Sequence, residues 1–269
     1  WGKKMTIRPP YFLFLGNAAD PLAAKVAQGI RDWRPEYCIG QWRLDGCHAD
    51  LGLIDMTPTE AYAEGAKTMV VGVANRGGII EPSWIAALVE GMEAGFDLAA
   101  GLHNKLADVP ELAAAAKRLG RAIHDVRHPT RSYPVASGAK RPGKRLLAVG
   151  TDCSCGKMYT TLAIEKELRQ RGVDADFRAT GQTGILVTGE GVAIDAVAAD
   201  FISGAVETHA PANVADHWDV IEGQGSLFHP SFAGVSLGLI HGSQPDALVL
   251  CHEPTRTHMR GLPDFGLPT

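Results

Sequence analysis

Apolar positions along the chain alternate between short unbroken runs and stretches spaced at threes and fours. Tyr11-Phe-Leu-Phe-Leu15 is an unbroken run, which predicts a strand buried on both faces. Leu22, Val26, Ile30 and Trp33 then recur at helical spacing over 21–33. Thr68-Met-Val-Val-Gly-Val73 predicts a second buried strand, ending in Asn75-Arg76-Gly77-Gly78. A helix is predicted over 84–94, with Pro82 near its start, and another from Pro110 to Leu119, followed by a short strand over 122–126. Further on, strands are predicted at 145–150, 173–179, 218–222 and 246–251, and helices at 158–171 and 191–203. Strands and helices alternating at this interval predict an α/β fold with parallel sheets and helices on their faces.

Between the two series the pattern stops. Pro129, Pro134, Gly138, Pro142 and Gly143 fall in a stretch with scattered basic residues and no period. It reads as a linker over 129–144, joining a Rossmann-like N-terminal domain at 5–128 to a P-loop NTPase-like α/β domain at 145–269. Trp1-Gly-Lys-Lys4 reads as foreign to the natural chain, with Met5 as its start. Pro263 to Pro268 reads as loop, which predicts that the second domain is truncated at its C-terminus.

Composition narrows the function. A 269-residue chain with 45% hydrophobic and 21% charged residues is an ordinary globular protein. A formal charge of -4 with no basic tail argues against nucleic acid, and no apolar run reaches membrane length. Five scattered cysteines without a signal peptide predict reduced thiols in a cytoplasmic protein.

The chemistry-bearing motifs follow predicted strands. Gly150-Thr151-Asp152-Cys153-Ser154-Cys155-Gly156-Lys157-Met158-Tyr159 sits between a strand and a helix, the layout of a phosphate-binding P-loop. Five residues separate its glycines, where the common pattern has four, so Thr151 stands at the first glycine position. Met158 replaces the hydroxyl residue that holds magnesium. Cys153 and Cys155 at a helix N-terminus predict lowered thiol pKa values. Nothing elsewhere in the chain supplies the other ligands of a zinc site, so no metal is expected. Glu222-Gly-Gln-Gly-Ser226 follows a strand at the ligand edge of its sheet, where Glu222 could order a metal, accept a proton or cap a helix. Thr180-Gly-Gln182-Thr183-Gly184 offers an amide and hydroxyls to a substrate, or is an ordinary turn. The stretch from Ser226 to Gln244, with His229 and His241, reads as a long glycine-rich binding loop.

These residues support two resemblances. Gly150-Thr-Asp with Gly156-Lys157, followed by Glu222-Gly-Gln-Gly, resembles the dethiobiotin synthetase branch of P-loop enzymes, which would imply Mg-ATP chemistry. More of the chain is similar to the bacterial D-glutamate N-acetyltransferase family. That similarity covers Gly150 to Met158, Thr180 to Gly184, Ile221-Glu-Gly-Gln-Gly-Ser-Leu-Phe-His-Pro230, Leu239-Ile-His-Gly-Ser-Gln-Pro-Asp246, Leu15 to Asp20 and Gly101-Leu-His103. It implies transfer of acetyl from acetyl-CoA to an acidic D-amino acid, with Met158 normal for the loop. On that reading Glu222 or His229 is the general base, Ser226 or loop N–H groups hold the oxyanion, and Gln182, Thr183, Arg178 and Arg76 contact the substrate. A P-loop with its lysine but no magnesium ligand suits phosphates that are gripped and not cleaved. A small-molecule enzyme working as a homo-oligomer is expected, with a non-catalytic nucleotide sensor as the reading from another class.

Overall fold

The computed structural model describes residues 7–74, 79–129 and 131–267. The chain divides into two compact units, residues 1–128 with 185–190, and residues 129–184 with 191–269.

The first unit is a five-stranded parallel sheet with helices on it. Its elements are β1 (Tyr11–Gly16), α1 (Lys25–Trp33), β2 (Cys38–Arg43), α2 (Pro58–Ala63), β3 (Thr68–Val71), α3 (Pro82–Ala94), β4 (Asp97–Ala100), α4 (Pro110–Leu119) and β5 (Ile123–Asp125). The strand order is β2-β1-β3-β4-β5, all parallel. Every residue of β1 and β3 is buried, as expected of central strands covered on both faces. Proline opens α2, α3 and α4 at a first-turn position, where its missing N–H costs no bond. Thr57 and Glu60 complete α2 with a reciprocal capping box.

The second unit carries β6 (Lys144–Gly150), α5 (Lys157–Gln170), β7 (Ala175–Arg178), the start of α6 (Gln182–Thr188, of which 185–188 belong to the first unit), α7 (Ile202–His209), β8 (Trp218–Ile221), α8 (Ala233–Ser243), β9 (Ala247–Cys251) and a short antiparallel pair, β10 (His258–Met259) and β11 (Leu262–Gly266). Its main sheet is parallel, in the order β7-β8-β6-β9. Loops that follow these four strands therefore gather on one edge, the place where open α/β sheets bind ligands. The proline-rich stretch before β6 packs into this unit: Ser137 and Gly138 N–H groups donate to Glu207, and Arg141 Nε donates to the Ala210 carbonyl.

Three expectations are corrected. The helix placed at 191–203 is instead two 3-10 turns followed by α7. The Val192 and Ile194 N–H groups are drawn to the carbonyls of Ala179 and Thr180, which keeps that backbone extended. The glycine-rich loop expected to run to Gln244 contains α8. Two of its glycines give close packing, since a Cβ on Gly238 would stand 2.4 Å from Ile202 and one on Gly242 2.5 Å from the Ser203 carbonyl. Of the two alternatives for 180–184, substrate contacts or an ordinary turn, the turn gives way at Gln182, where α6 starts.

Candidate functional site

The loop after β6 begins with Gly150 and closes at Gly156, the residue before α5. Ser154 (φ 52°) and Gly156 (φ 96°) are both left-handed. Glycine adopts that conformation freely, whereas a serine must be held there. Alternation of this kind turns successive N–H groups to one side and makes an anion-binding concavity at a helix N-terminus. The Lys157 ammonium is buried beside it and donates to the Asp152 carbonyl at 2.9 Å. Cys155 Sγ donates to the same carbonyl at 3.1 Å. Burial pushes the Cys153 thiol up, against the lowering expected from the helix N-terminus, and the nearby Lys157 charge offsets only part of this. Met158 and Tyr159 occupy the first turn of α5, with Tyr159 exposed. The hydroxyl of Thr161 is committed to the carbonyls of Lys157 and Met158, both at 2.9 Å.

Glu222 follows β8 and is buried. Its carboxylate accepts the N–H groups of Thr180 at 2.8 Å and Gly181 at 3.0 Å, just ahead of α6. Burial pushes its pKa up to about 7; the Thr180 and Gly181 N–H groups, the Gln224 amide and the Lys157 charge oppose that rise. Small residues make room for it. A Cβ on Gly184 would stand 2.5 Å from Glu222 Oε2, and one on Gly181 2.3 Å from Gln224 Nε2. The structure thus brings together Lys157, Glu222 and the start of α6, where Gln182 and Thr183 are half-buried.

Other expected site residues lie differently. Arg178 turns to Asp219, its Nε donating at 2.6 Å, within a group of ion pairs that includes Asp176. His229 is buried, with Nδ1 accepting the Ser231 N–H at 3.2 Å and Nε2 3.2 Å from the Arg260 carbonyl. That pairing makes Nε2 the protonated nitrogen and leaves neither nitrogen for a substrate. Ser226 is buried, and its hydroxyl oxygen accepts the Phe228 N–H at 3.2 Å. Arg76 lies outside the described residues.

Two arginines without a motif complete the loop. Arg256 Nη1 donates to Asp152 Oδ2 at 2.5 Å and to the Cys153 carbonyl at 2.7 Å, and Nη2 to the Ser154 carbonyl at 3.2 Å. The Arg260 N–H donates to Asp152 Oδ2 at 2.8 Å. Burial would raise the Asp152 pKa, but the Arg260 N–H, the Arg256 guanidinium and the Cys153 N–H together hold the carboxyl below the usual range. The available sequence signal is positional: β9 pairs with β6, so residues after β9 come beside the loop after β6. Asp152, Cys153 and His229 have metal-ligand chemistry and donor atoms within 4.8 Å of one another. The Asp152 oxygens and both His229 nitrogens already bond protein groups, so a cation there would have to break those contacts.

Comparison with known proteins places the chain. Residues 134–269 match the family described as "Domain of unknown function (DUF1611_C) P-loop domain", and residues 42–129 match the DUF1611_N Rossmann-like domain. A "D-glutamate N-acetyltransferase" of Tritonibacter scottomollicae is 64% identical over 263 residues, 98% of this chain and 79% of that protein. Another, from Pseudoalteromonas sp, is 52% identical over 98% of this chain and 80% of that protein. The crystal structure of a DUF1611 family protein from Anabaena variabilis superposes with a TM-score of 0.85 at 33% identity, over 97% of this chain and 79% of the other. With a Rossmann-like unit followed by a P-loop unit, and with relatives this similar over nearly its whole length, the chain belongs to the DUF1611 family, the family that contains these D-glutamate N-acetyltransferases.

Proposed function

We propose that this chain moves the acetyl group of acetyl-CoA to the amine of D-glutamate. The names of its two similar relatives support the reaction class. The observation that carries the reading is Glu222, a buried carboxyl pushed up to about 7 at the ligand edge of the sheet, beside Lys157. An amino acid arrives as its ammonium, and a base with a pKa near the working pH is best matched to remove that proton. Glu222 takes the proton, the freed amine forms a C–N bond with the thioester carbonyl, and the C–S bond breaks. The second proton of the attacking nitrogen passes to the departing thiolate, which leaves as CoA, and Glu222 releases the first to solvent, so that the amide is neutral and the base is restored. N–H groups of the loops on this edge and Ser226 are the proposed oxyanion donors, and Gln182 and Thr183 the proposed substrate contacts.

The P-loop is assigned to the phosphates of the coenzyme, from Gly150 to Tyr159. Met158 offers a soft thioether where magnesium needs a hard oxygen, and Thr161 spends its hydroxyl on helix carbonyls. Lys157 and Glu222 belong to one cluster, so the residues that would hold the phosphates lie close to the proposed base. That same closeness favours a second reading, an ATP-dependent kinase or ligase in which a P-loop lysine and a strand-end carboxylate act on one phosphate chain. Thiol release from acetyl-CoA separates the two. The expected result is one thiol released per N-acetyl-D-glutamate formed, with no nucleotide required. Product that appears only with Mg-ATP would support the second reading.

A further inference from the structure

This inference rests on the proposed coenzyme site and concerns what holds its loop open to an anion. A trans peptide points the C=O of one residue and the N–H of the next in opposite directions. Among the described residues the only cis bond is Pro9-Pro10, so the loop peptides are trans. Arg256 grips the carbonyls of Cys153 and Ser154 from one side. The N–H groups of Ser154 and Cys155 must therefore face away from Arg256. The preceding peptide is fixed in the reverse sense: the Asp152 carbonyl takes the Lys157 ammonium, and the Cys153 N–H turns to Asp152 Oδ1 at 2.6 Å.

A second feature makes the arginine necessary. Asp152 places a carboxylate, with only 1% of its side chain exposed, inside a loop built for anions. Left alone it would repel a phosphate and carry a heavy desolvation cost. The guanidinium of Arg256, with 21% of its side chain exposed, cancels that charge while it fixes the two carbonyls. The His229 ring supports the same segment through the Arg260 carbonyl.

We propose that Arg256 is a positioning residue for the phosphate loop: by holding the Cys153 and Ser154 carbonyls and neutralising Asp152, it presents the Ser154 and Cys155 N–H groups to the coenzyme's pyrophosphate. It strengthens coenzyme binding and leaves the acetyl-transfer step alone. The held loop also explains how a serine keeps a left-handed conformation at residue 154.

The test compares the chain with Arg256→Ala, Arg256→Lys and Arg256→Ala combined with Asp152→Asn. Calorimetry uses CoA and inorganic pyrophosphate as probes, and steady-state kinetics give KM and kcat. Arg256→Ala is expected to weaken both probes and raise the acetyl-CoA KM roughly ten- to hundred-fold, the size of a lost charge-assisted contact, with kcat and the D-glutamate KM nearly unchanged. Arg256→Lys should fall between. Adding Asp152→Asn should recover part of the loss, because the unpaired buried charge is gone. Wild-type affinity in Arg256→Ala, or a fall in kcat without a change in KM, would overturn the proposal. If Arg256→Ala does not fold, unchanged affinity in Arg256→Lys overturns it equally. Pyrophosphate separates the two levels. A chain that binds pyrophosphate but not CoA, with Arg256→Ala weaker, removes the acetyl-CoA reading and keeps Arg256 as the positioning residue of a phosphate loop. A chain that binds neither removes both.

Discussion

Thr180 and Glu222 are joined twice: the Thr180 N–H donates to the Glu222 carboxylate at 2.8 Å, and its hydroxyl to the Glu222 carbonyl at 2.6 Å. The pair ties the end of β8 to the start of α6 and fixes the direction of a carboxyl group that burial would otherwise make hard to ionise. A base fixed in this way gives the first expected outcome. Below pH 7 Glu222 holds its proton and cannot accept one, so kcat should rise with pH through about 7 and then level. Glu222→Gln should lower kcat by roughly 10²- to 10⁴-fold and abolish that rise. A retained pH midpoint in the variant would assign the base elsewhere.

The same group sets a stability trend. Its pKa is higher folded than unfolded, so its contribution is fully present below the unfolded value of 4.5 and is lost as pH rises through about 7. The loss is on the order of 3 kcal/mol for a shift of this size in a fully buried carboxyl. Denaturant titrations at pH 5 and pH 8 should therefore differ less in Glu222→Gln than in the natural chain.

Lys157 acts on both halves of the site. Lys157→Ala is expected to abolish CoA binding measured by calorimetry. It should also move the pH midpoint of any residual activity upward, because the Lys157 charge helps to keep Glu222 ionised. Unchanged CoA affinity would remove the P-loop from the mechanism.

Gly184 tests the packing around the carboxyl. A methyl there would stand 2.5 Å from Glu222 Oε2, so the carboxyl must leave its seat. Gly184→Ala should stay folded, lose roughly ten-fold or more in kcat, and shift the pH midpoint. Circular dichroism and a pH–rate profile check this. A normal profile would show that the seat does not matter.

Metal removal tests the meaning of Met158. With no hard oxygen at that position and Thr161 committed to helix carbonyls, chelation by EDTA should leave the rate of acetyl transfer unchanged. Loss of activity that returns with Mg²⁺ would support phosphoryl chemistry.

Much of this was legible in the sequence. Unbroken apolar runs marked β1, β3 and β6, since strands covered on both faces need no polar side. Strand ends marked Gly150 and Glu222, because parallel strands deliver their loops to one edge. The half-buried β2, with Ile39 and Trp42 among polar residues, and β4, made of Asp97-Leu-Ala-Ala, carry weak local signals and form through their neighbours in the sheet. Gly238 and Gly242 read as loop because sequence does not distinguish a glycine that allows motion from one that lets two helices touch. His229 stood beside Glu222 as a candidate general base because only the fold shows both its nitrogens taken by backbone. Arg256 carries no motif and acts through a pairing, β9 with β6, that is known only once the sheet is assembled.

The loop from Gly150 to Met158 is proposed to hold phosphates that are not cleaved. Calorimetric titration of the chain with CoA and with Mg-ATP, side by side, tests it most directly. CoA should bind saturably, one to one and unaffected by EDTA, and Mg-ATP more weakly and without hydrolysis. Tight, magnesium-dependent ATP binding with no heat from CoA would contradict that proposal.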